Sequence, residues 1–303
     1  MSETFAAGAP DELHRRFRLA VLGSPIAHSR SPLLHRTAYA ALGLPWSYDA
    51  QDVTGERLPG FVDRLTPEWR GLSLTMPLKE QILPLLDSID TVARTSGAVN
   101  TVLVDWADGC RTLAGFNTDV YGLRQALERA GITTARRVMV IGGGATARSA
   151  VVAAAQSGAE HVDVVLRSPE KAGGVVETAR AAGVSSDVVA LDDQRMRGLE
   201  PDLTISTLPG GVGAAAHFTD AAAPRSSTLL DVAYHPWPSE LASVWDAAGS
   251  AAVPGLAMLA HQAVAQIRVF VHGDPLLPLD GEDRVTAAML VAIGLDGAGR
   301  LLD

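Results

Sequence analysis

The spacing of apolar residues predicts an alternation of short buried strands and helices. Arg18–Gly23 and Gly71–Thr75 are continuous apolar runs of strand length, which is typical of strands buried in a sheet. Between them, apolar residues recur at helical spacing from Pro32 until Gly43, and proline is favoured at the first helical position. The alternation and the short connections predict an α/β fold with a mostly parallel sheet.

The same pattern predicts the other elements of the first part of the chain. They are a strand over Trp46–Val53, a helix over Glu56–Leu65, a helix that opens at Met76–Pro77 and runs to Leu86, and paired strands over Gly97–Val104 and Arg111–Phe116. A helix is expected after Asn117 and ends at Gly131. Later strands are predicted over His161–Leu166, Val184–Leu191, Leu203–Thr207 and Thr228–Val232, and later helices over Leu256–Val271 and Val285–Leu295.

A glycine-rich segment in mid-chain has the form of a dinucleotide-binding turn. Four apolar residues run into Gly142, Gly144 and Ala147 at the spacing G-x-G-x-x-A, and an alanine-rich helical pattern follows. Gly142 permits the tight turn, Gly144 lets a pyrophosphate approach the backbone, and the helix N-terminus offers free N–H groups to phosphates. Because such turns also join strands to helices without a ligand, the motif alone does not establish a cofactor.

Composition narrows the classes of function. The 303 residues suffice for two domains, and the net charge of −9 argues against a nucleic-acid partner. The single cysteine, Cys110, leaves no internal disulfide and is consistent with a cytoplasmic setting, and no His/Cys cluster indicates a metal. Met1–His14 is expected to be a loose tail, not a signal peptide, and no stretch predicts a membrane span.

Polar residues follow the predicted strands of the first half, where α/β proteins bind ligands. Ser29 and Ser31 flank a helix start and could hold an anion, although Ser31 alone is more simply explained as a helix cap. Lys79 alone would be a surface charge, Asn100 a turn amide and Asp119 a helix cap. Beside a nicotinamide, however, a lysine–aspartate pair could supply the proton that a carbonyl reduction needs. This joint role explains Lys79 and Asp119 better than two independent structural roles do.

At this point the sequence resembles the shikimate dehydrogenase family. The resemblance spans most of the chain from about Arg18 to Val271, in family order. It rests on the segments Gly23–Pro32, Leu74–Lys79, Gly97–Thr101, Gly115–Asp119, the glycine turn, Asp231–Pro236 and Gly255–Ala263.

The resemblance implies reversible, NADPH-dependent reduction of 3-dehydroshikimate to shikimate, on the route to aromatic amino acids. It implies that Lys79 and Asp119 are the catalytic pair, with Lys79 as proton donor to the ketone oxygen. The residues that it implies for substrate binding are Ser29, Ser31, Thr75, Lys79, Asn100, Asp119, Tyr234 and Gln262. Tyr234 and Gln262 rest on the resemblance more than on their chemistry.

The cofactor site is expected to take NADP(H). After the strand that follows the glycine turn there is no immediate carboxylate for a ribose 2′-OH, whereas Arg167 suits a 2′-phosphate. Leu166 departs from the family's asparagine, so discrimination against NAD is expected to be weaker. The predicted cofactor-binding residues are Gly142, Gly143, Gly144, Ala145, Thr146, Ala147, Arg148, Arg167, Ser168, Thr207, Leu208 and Gly255.

The sequence therefore predicts two domains. Residues 1–118 together with 255–303 form a substrate-binding and catalytic domain, and residues 119–254 form a Rossmann-like NADP-binding domain. The expected partner is a small molecule, not a nucleic acid or a membrane, and a homodimer is left open. Two alternatives remain: a quinate/shikimate dehydrogenase that uses NAD, and a catalytically silent ligand-binding homologue, which the presence of both Lys79 and Asp119 disfavours.

Overall fold

The computed structural model of the chain describes residues 14–209, 213–218, 227–297 and 299–302. Nearly all of the predicted N-terminal tail therefore lies outside the described residues. The described residues divide into two compact units. The first contains the residues up to Arg94, Ala98–Thr118 and the residues from Leu259 onward, and the second contains Thr95–Gly97 and Asp119–Met258.

The first unit is built on a mixed six-stranded sheet with the order β2-β1-β3-β5-β6-β4. Its strands are β1 (Arg18–Gly23), β2 (Ser47–Asp52), β3 (Trp69–Leu74), β4 (Ser88–Ile89), β5 (Thr101–Ala107) and β6 (Cys110–Phe116). The pairs of β1 with β2, β1 with β3 and β4 with β6 are parallel, whereas β5 runs antiparallel to β3 and β6. The sheet is mixed because β5 and β6 form a hairpin, and a hairpin necessarily joins antiparallel strands.

The second unit is built on a six-stranded sheet in which every pair is parallel, with the order β12-β11-β10-β7-β8-β9. Its strands are β7 (Arg137–Ile141), β8 (His161–Leu166), β9 (Ser185–Ala190), β10 (Leu203–Ser206), β11 (Thr228–Asp231) and β12 (Ala252–Pro254). This is a Rossmann-like sheet, and it confirms the predicted α/β class for this part of the chain.

Helices connect and cover the strands. They are α1 (Ser31–Leu42), α2 (Leu58–Asp63), α3 (Leu78–Gln81), α4 (Thr91–Ser96), α5 (Asp119–Arg129), α6 (Ala145–Gln156), α7 (Gly173–Ala181), α8 (Glu240–Ala247), α9 (Gly255–His272) and α10 (Glu282–Ala292). Among the described helices, none is both long enough and apolar enough to cross a membrane.

Several predicted boundaries were wrong. The helix expected from Met76 to Leu86 is only the single turn α3, followed by a 3-10 turn at Leu83–Leu85, because the proline at position 84 removes a backbone donor that a continuing helix needs. The predicted helix over Glu56–Leu65 begins as a 3-10 turn and is α-helical only in α2. Residues 97–100 are not part of a strand, and β4, β12, α4, α7 and α8 were not predicted.

Each unit has its own apolar core. In the first, buried residues such as Leu58, Leu72 and Val102 form one cluster that packs against the sheet. In the second, Met139 and Val165 from the strands pack against Trp245 of α8. The strands contribute apolar runs because they are covered on both faces, as in Val138–Ile141 of β7 and Val164–Leu166 of β8.

A half-buried carboxylate, that of Asp90, fixes the start of α4. The Asp90 Oδ1 atom accepts a hydrogen bond of 2.6 Å from the backbone N–H of Ala93, in the manner of a helix cap. Burial raises the pKa of Asp90 to about 6, although backbone hydrogen bonds from Ala93 and Asn117 oppose the shift. Because the pKa is higher in the folded than in the unfolded protein, the neutral form stabilises the fold, and this contribution is lost as pH rises towards and through 6.

We therefore expect Asp90→Asn to remove the free-energy cost of ionising this carboxyl in the folded protein, a cost that grows with pH. Asparagine keeps an acceptor for the Ala93 N–H but does not ionise, so the free energy of unfolding of the variant relative to the wild type should rise between pH 4 and pH 7, by about 2–3 kcal/mol. Urea unfolding at several pH values measures this difference. A difference that does not change with pH would contradict the raised pKa.

Candidate functional site

The carboxyl edge of the first sheet brings together the segments that follow β1 and β3. The backbone N–H of Thr75 donates to Leu22 O (2.9 Å), and that of Ser24 donates to Met76 O (3.1 Å). A Cβ atom on Gly23 would collide with Thr75 Cγ2 and with the carbonyl of Met76, so glycine is required there. The sheet order changes direction between β1 and β3, and ligands bind at such positions in α/β sheets.

The two predicted anion-binding serines lie at the start of α1. The backbone N–H of Ser31 lies 3.3 Å from Ser29 Oγ, which accepts its hydrogen bond. The helix begins at Ser31 itself and the preceding Arg30 occupies the N-cap position, so the interpretation of Ser31 as a helix cap was wrong. Ser31 is buried and Ser29 is half-buried, and both hydroxyls adjoin a helix N-terminus.

Lys79 lies on α3, one turn after Thr75, and both side chains are half-buried. The backbone N–H of Val99 donates to Lys79 O (2.8 Å), which places the Lys79 backbone beside the segment that carries Asn100. The backbone N–H of Leu74 donates to Asn100 O (2.8 Å). The structure thus connects Thr75, Lys79 and Asn100 through the backbones of neighbouring segments.

Asn100 and Gln262 are in direct contact although 162 positions separate them. Asn100 Nδ2 donates to Gln262 Oε1 (3.3 Å) and to Thr118 Oγ1 (2.9 Å). All three side chains are buried, and the amide nitrogen Nε2 of Gln262 donates to Leu259 O (2.9 Å). Gln262 therefore lies within the first unit, in contact with a second predicted substrate residue.

Two further predicted substrate residues belong to the second unit. Asp119 is the first residue of α5 and is 4% exposed, so it is not a solvated surface carboxylate. Tyr234 follows β11 and is half-buried. Next to it, Asp231 Oδ2 accepts a hydrogen bond of 2.6 Å from Ser239 Oγ, and burial raises the pKa of Asp231. This contact fixes the segment that carries Tyr234.

The glycine turn joins β7 to α6 at the point where the order of the second sheet changes direction. Gly142 has φ = +126° and its N–H donates to Val165 O (2.9 Å). A Cβ atom on Gly142 would collide with Thr207 Oγ1, which itself donates to Ile141 O (2.9 Å). Gly144 is the N-cap of α6 and no side chain caps it, so the first N–H groups of the helix face the turn. The turn therefore has the backbone geometry of a phosphate site.

A cavity of about 270 Å³ lies beside this turn, within the second unit. It is lined by Ile141, Gly142, Gly143, Val165, Leu166, Arg167, Ser168, Lys171, Leu191 and Leu208. The lining is apolar towards the sheet and carries two cations at its rim, which suits a purine nucleoside with a phosphate. Sequence reasoning missed Lys171; the available signal was that it is one of only two lysines in the chain and follows Ser168 by three positions.

Arg148 and Gly255 have structural partners. Arg148 Nη2 donates to Gly97 O (3.1 Å), and its guanidinium would meet a Cβ atom placed on Gly174. A Cβ atom on Gly255 would collide with the backbone of Val232. These contacts explain both residues by packing, and their contacts with a cofactor stay predictions. Thr146 and Ala145 lie half-buried in the first turn of α6, where Ala147 is fully buried.

Among the residues that the structure describes, one cluster of potential metal ligands occurs, at the amino edge of the second sheet: His161, Asp163 and Asp187. Its ligand atoms lie within 4.8 Å of one another. Both carboxylate oxygens of Asp163 accept hydrogen bonds from Arg137, at 2.8 and 3.1 Å. The guanidinium already balances the buried carboxylate, so the cluster is explained as an ion-pair network.

Comparisons with known proteins agree with this geometry. A family model described as the shikimate dehydrogenase substrate binding domain matches residues 21–102. The NADP(+) shikimate dehydrogenase of Rubrobacter xylanophilus is 34% identical over 262 residues, which are 85% of this chain and 91% of that protein.

Two solved structures extend the similarity to the fold. A shikimate 5-dehydrogenase from Mycobacterium fortuitum is 39% identical with a TM-score of 0.77, covering 92% of this chain and 98% of that one. The shikimate 5-dehydrogenase of Thermus thermophilus, in complex with NADP(H) and shikimate, is 33% identical with a TM-score of 0.74, covering 91% and 99%. With both sheets, the glycine turn and the strand-end residues in place, the chain belongs to the shikimate dehydrogenase family.

Proposed function

We propose that the protein catalyses the reversible, NADPH-dependent reduction of 3-dehydroshikimate to shikimate. The observation that carries the proposal is the juxtaposition, at one edge of the first sheet, of the segments bearing two serines, Thr75, Lys79 and the Asn100–Gln262 pair. Hydroxyls at a helix N-terminus suit a carboxylate, and buried amides suit ring hydroxyls. The substrate class is therefore a small polyhydroxylated acid, which matches shikimate.

The domain roles follow from this assignment. The first unit, with residues near 1–118 and 255–303, would bind substrate, and residues near 119–254 would bind the cofactor. NADP(H) is favoured because Arg167 and Lys171 line the cavity beside the glycine turn, and none of the described residues that line it is a carboxylate. NADPH supplies a hydride when bound. Gly142, Gly144 and the N-terminus of α6 would hold the pyrophosphate, and Thr207 and Leu208 would lie towards the nicotinamide end.

In the reduction, the carbonyl carbon receives the hydride and the carbonyl oxygen must receive a proton. Lys79 is assigned as the donor of that proton, and Asp119 is assigned as the residue that orients Lys79. Thr75 and Tyr234 would lie near the substrate carboxylate bound by Ser29 and Ser31. In the reverse direction Lys79 accepts the hydroxyl proton as the hydride leaves. The cytoplasmic setting and a homodimer remain predictions.

Steady-state kinetics test the assignment against its nearest alternative. Shikimate and quinate are each measured with NADP and with NAD, and shikimate with NADP should give the highest kcat/KM. A higher kcat/KM for quinate with NAD would replace the proposal with a quinate/shikimate dehydrogenase. No turnover with any pair, together with measurable shikimate binding, would indicate the silent homologue.

Lys79→Ala should lower kcat by on the order of 10²–10⁴-fold while the dissociation constant for shikimate changes much less, because the proton donor is lost but the other contacts remain. Lys171→Ala is the matched control, since it removes the only other lysine and should act on the KM for cofactor rather than on kcat. Near wild-type kcat in Lys79→Ala would remove Lys79 from its assigned role.

Arg167→Ala should raise the KM for NADP on the order of tenfold and that for NAD much less, because only NADP carries the 2′-phosphate that a guanidinium would bind. Arg136→Ala is the control. Arg136 is also an exposed arginine of the second unit, but it precedes β7 at the opposite edge of the sheet and pairs with Glu160. Equal effects of Arg167→Ala on both cofactors would contradict the assignment.

A further inference from the structure

A chain of hydrogen bonds runs through the first unit to the two predicted substrate-binding amides, and its donors all point the same way. Tyr48 Oη donates to Ser73 Oγ (2.6 Å), and Ser73 Oγ donates to Gln266 Oε1 (2.9 Å). Gln266 Nε2 donates to Thr101 Oγ1 (3.1 Å) and to Asn100 O (3.1 Å). The chain of hydrogen bonds therefore begins at the Tyr48 phenol in the core and reaches the backbone carbonyl of Asn100, a predicted substrate-binding residue.

The chain continues through the side chain of Asn100. Thr101 Oγ1 donates to Asn100 Oδ1 (2.8 Å), and Asn100 Nδ2 donates to Gln262 Oε1 (3.3 Å). Gln262 Nε2 in turn donates to Leu259 O (2.9 Å). Hydrogen bonds aligned in this way polarise one another, so each link strengthens the next.

The alignment has a chemical consequence for Asn100. Its Oδ1 accepts from Thr101 Oγ1 and also from the backbone N–H of Thr118 (2.8 Å), which together satisfy both of its lone pairs. Nδ2 must then face Gln262. An unconstrained asparagine side chain can turn either its oxygen or its nitrogen towards a neighbour. Here the network fixes the Asn100 amide so that its nitrogen, a donor, faces Gln262.

Burial excludes alternative hydrogen-bond partners for the residues of this network. Tyr48 and Thr101 are fully buried, and Ser73 and Gln266 are 3% and 2% exposed, so water does not replace a lost partner. His35 stacks on the Tyr48 ring, with centroids 3.9 Å apart, and holds its position. Burial raises the pKa of Tyr48, so its hydroxyl keeps its proton and stays a donor. An unpaired polar group at any of these positions would be costly.

We propose that Gln266 is a positioning residue that fixes the amide orientation of Asn100, and that Ser73 and Tyr48 fix the orientation of Gln266. The inference rests on the proposed function, in which Asn100 and Gln262 bind ring hydroxyls. Gln266 contacts the Asn100 backbone carbonyl directly, and it reaches the Asn100 side chain indirectly, through the hydroxyl of Thr101. Both N–H groups of Asn100 Nδ2 are thereby directed at Thr118 Oγ1 and Gln262 Oε1.

The main test is Gln266→Leu, which keeps the approximate volume and removes both polar atoms. The kcat/KM for shikimate should fall on the order of tenfold to a hundredfold, because a misoriented amide costs about as much as a displaced one. The KM for NADP should not change. Val264→Ala is the control for a general packing defect: it is buried on the same helix, two positions away and so on another face, and should leave both constants unchanged.

Ser73→Ala and Tyr48→Phe keep the test decisive if Gln266→Leu does not fold. Each removes one hydroxyl while Gln266 and Asn100 remain, so both should lower kcat/KM for shikimate, Ser73→Ala more than Tyr48→Phe because Ser73 contacts Gln266 directly. Unchanged kcat/KM in both variants would overturn the proposal.

Gln266→Glu gives a readout that loss of packing does not reproduce. A protonated carboxyl can accept from Ser73 and donate to Thr101, whereas the ionised form cannot donate and is repelled by Asn100 O. The ratio of its kcat/KM to that of the wild type should therefore decrease as pH rises, with circular dichroism confirming a folded protein throughout. A pH-independent ratio would contradict the proposal. If the wild type itself does not turn over shikimate, the proposed function fails instead, so the two failures are distinguishable.

Discussion

Each of the two sheets depends on the same close contact between a glycine and a threonine. Gly23, the last residue of β1, lies against Thr75 after β3, and Gly142 after β7 lies against Thr207 after β10. In both sheets the pair lies where the strand order changes direction, and a Cβ atom on the glycine would collide with the threonine. The backbones can approach there only because one residue has no side chain, and this approach opens the edge of the sheet to a ligand.

The two edges differ in the groups that surround this contact. Around Gly142 the fold supplies backbone N–H groups, an apolar cavity wall and the cations Arg167 and Lys171, which are means of binding a nucleotide. Around Gly23 it supplies hydroxyls, a lysine and buried amides, which are means of binding and protonating a small oxygen-rich molecule. In the proposed function, the first unit would supply Lys79 and most of the substrate-binding groups, the second unit would supply Asp119 and Tyr234, and the glycine turn would hold the cofactor.

The polar groups of the first unit are buried, and burial requires that each be satisfied. Asn100 is saturated by Thr101, Thr118 and Gln262, and Gln266 by Ser73, Asn100 and Thr101. A network of this kind contributes little net stability, since the same groups are hydrogen-bonded to water in the unfolded chain. Its value is that it allows one arrangement of donors and acceptors around Asn100 and Gln262.

The sequence by itself determined the features that depend on neighbours along the chain. The apolar runs of β1, β3, β7 and β8, the hairpin between β5 and β6 with positive φ at Asp108 and Gly109, and the glycine turn are all local patterns, and all are present in the structure. The motif segments also identified the family. Where local pattern was weak it failed: β4 has two residues, and α3 is a single turn where a long helix was expected.

Tertiary structure decided which residues meet. Gln266 contacts Asn100 across 166 positions, and Arg148 reaches Gly97 rather than an element next to it in the chain. Lys171 was not recognised until the cavity placed it beside Arg167. A periodic pattern reports only whether a position faces a core, because it averages over neighbours in sequence. The identity of a hydrogen-bond partner depends on distances of a few ångströms between distant segments, and only the folded chain fixes those distances.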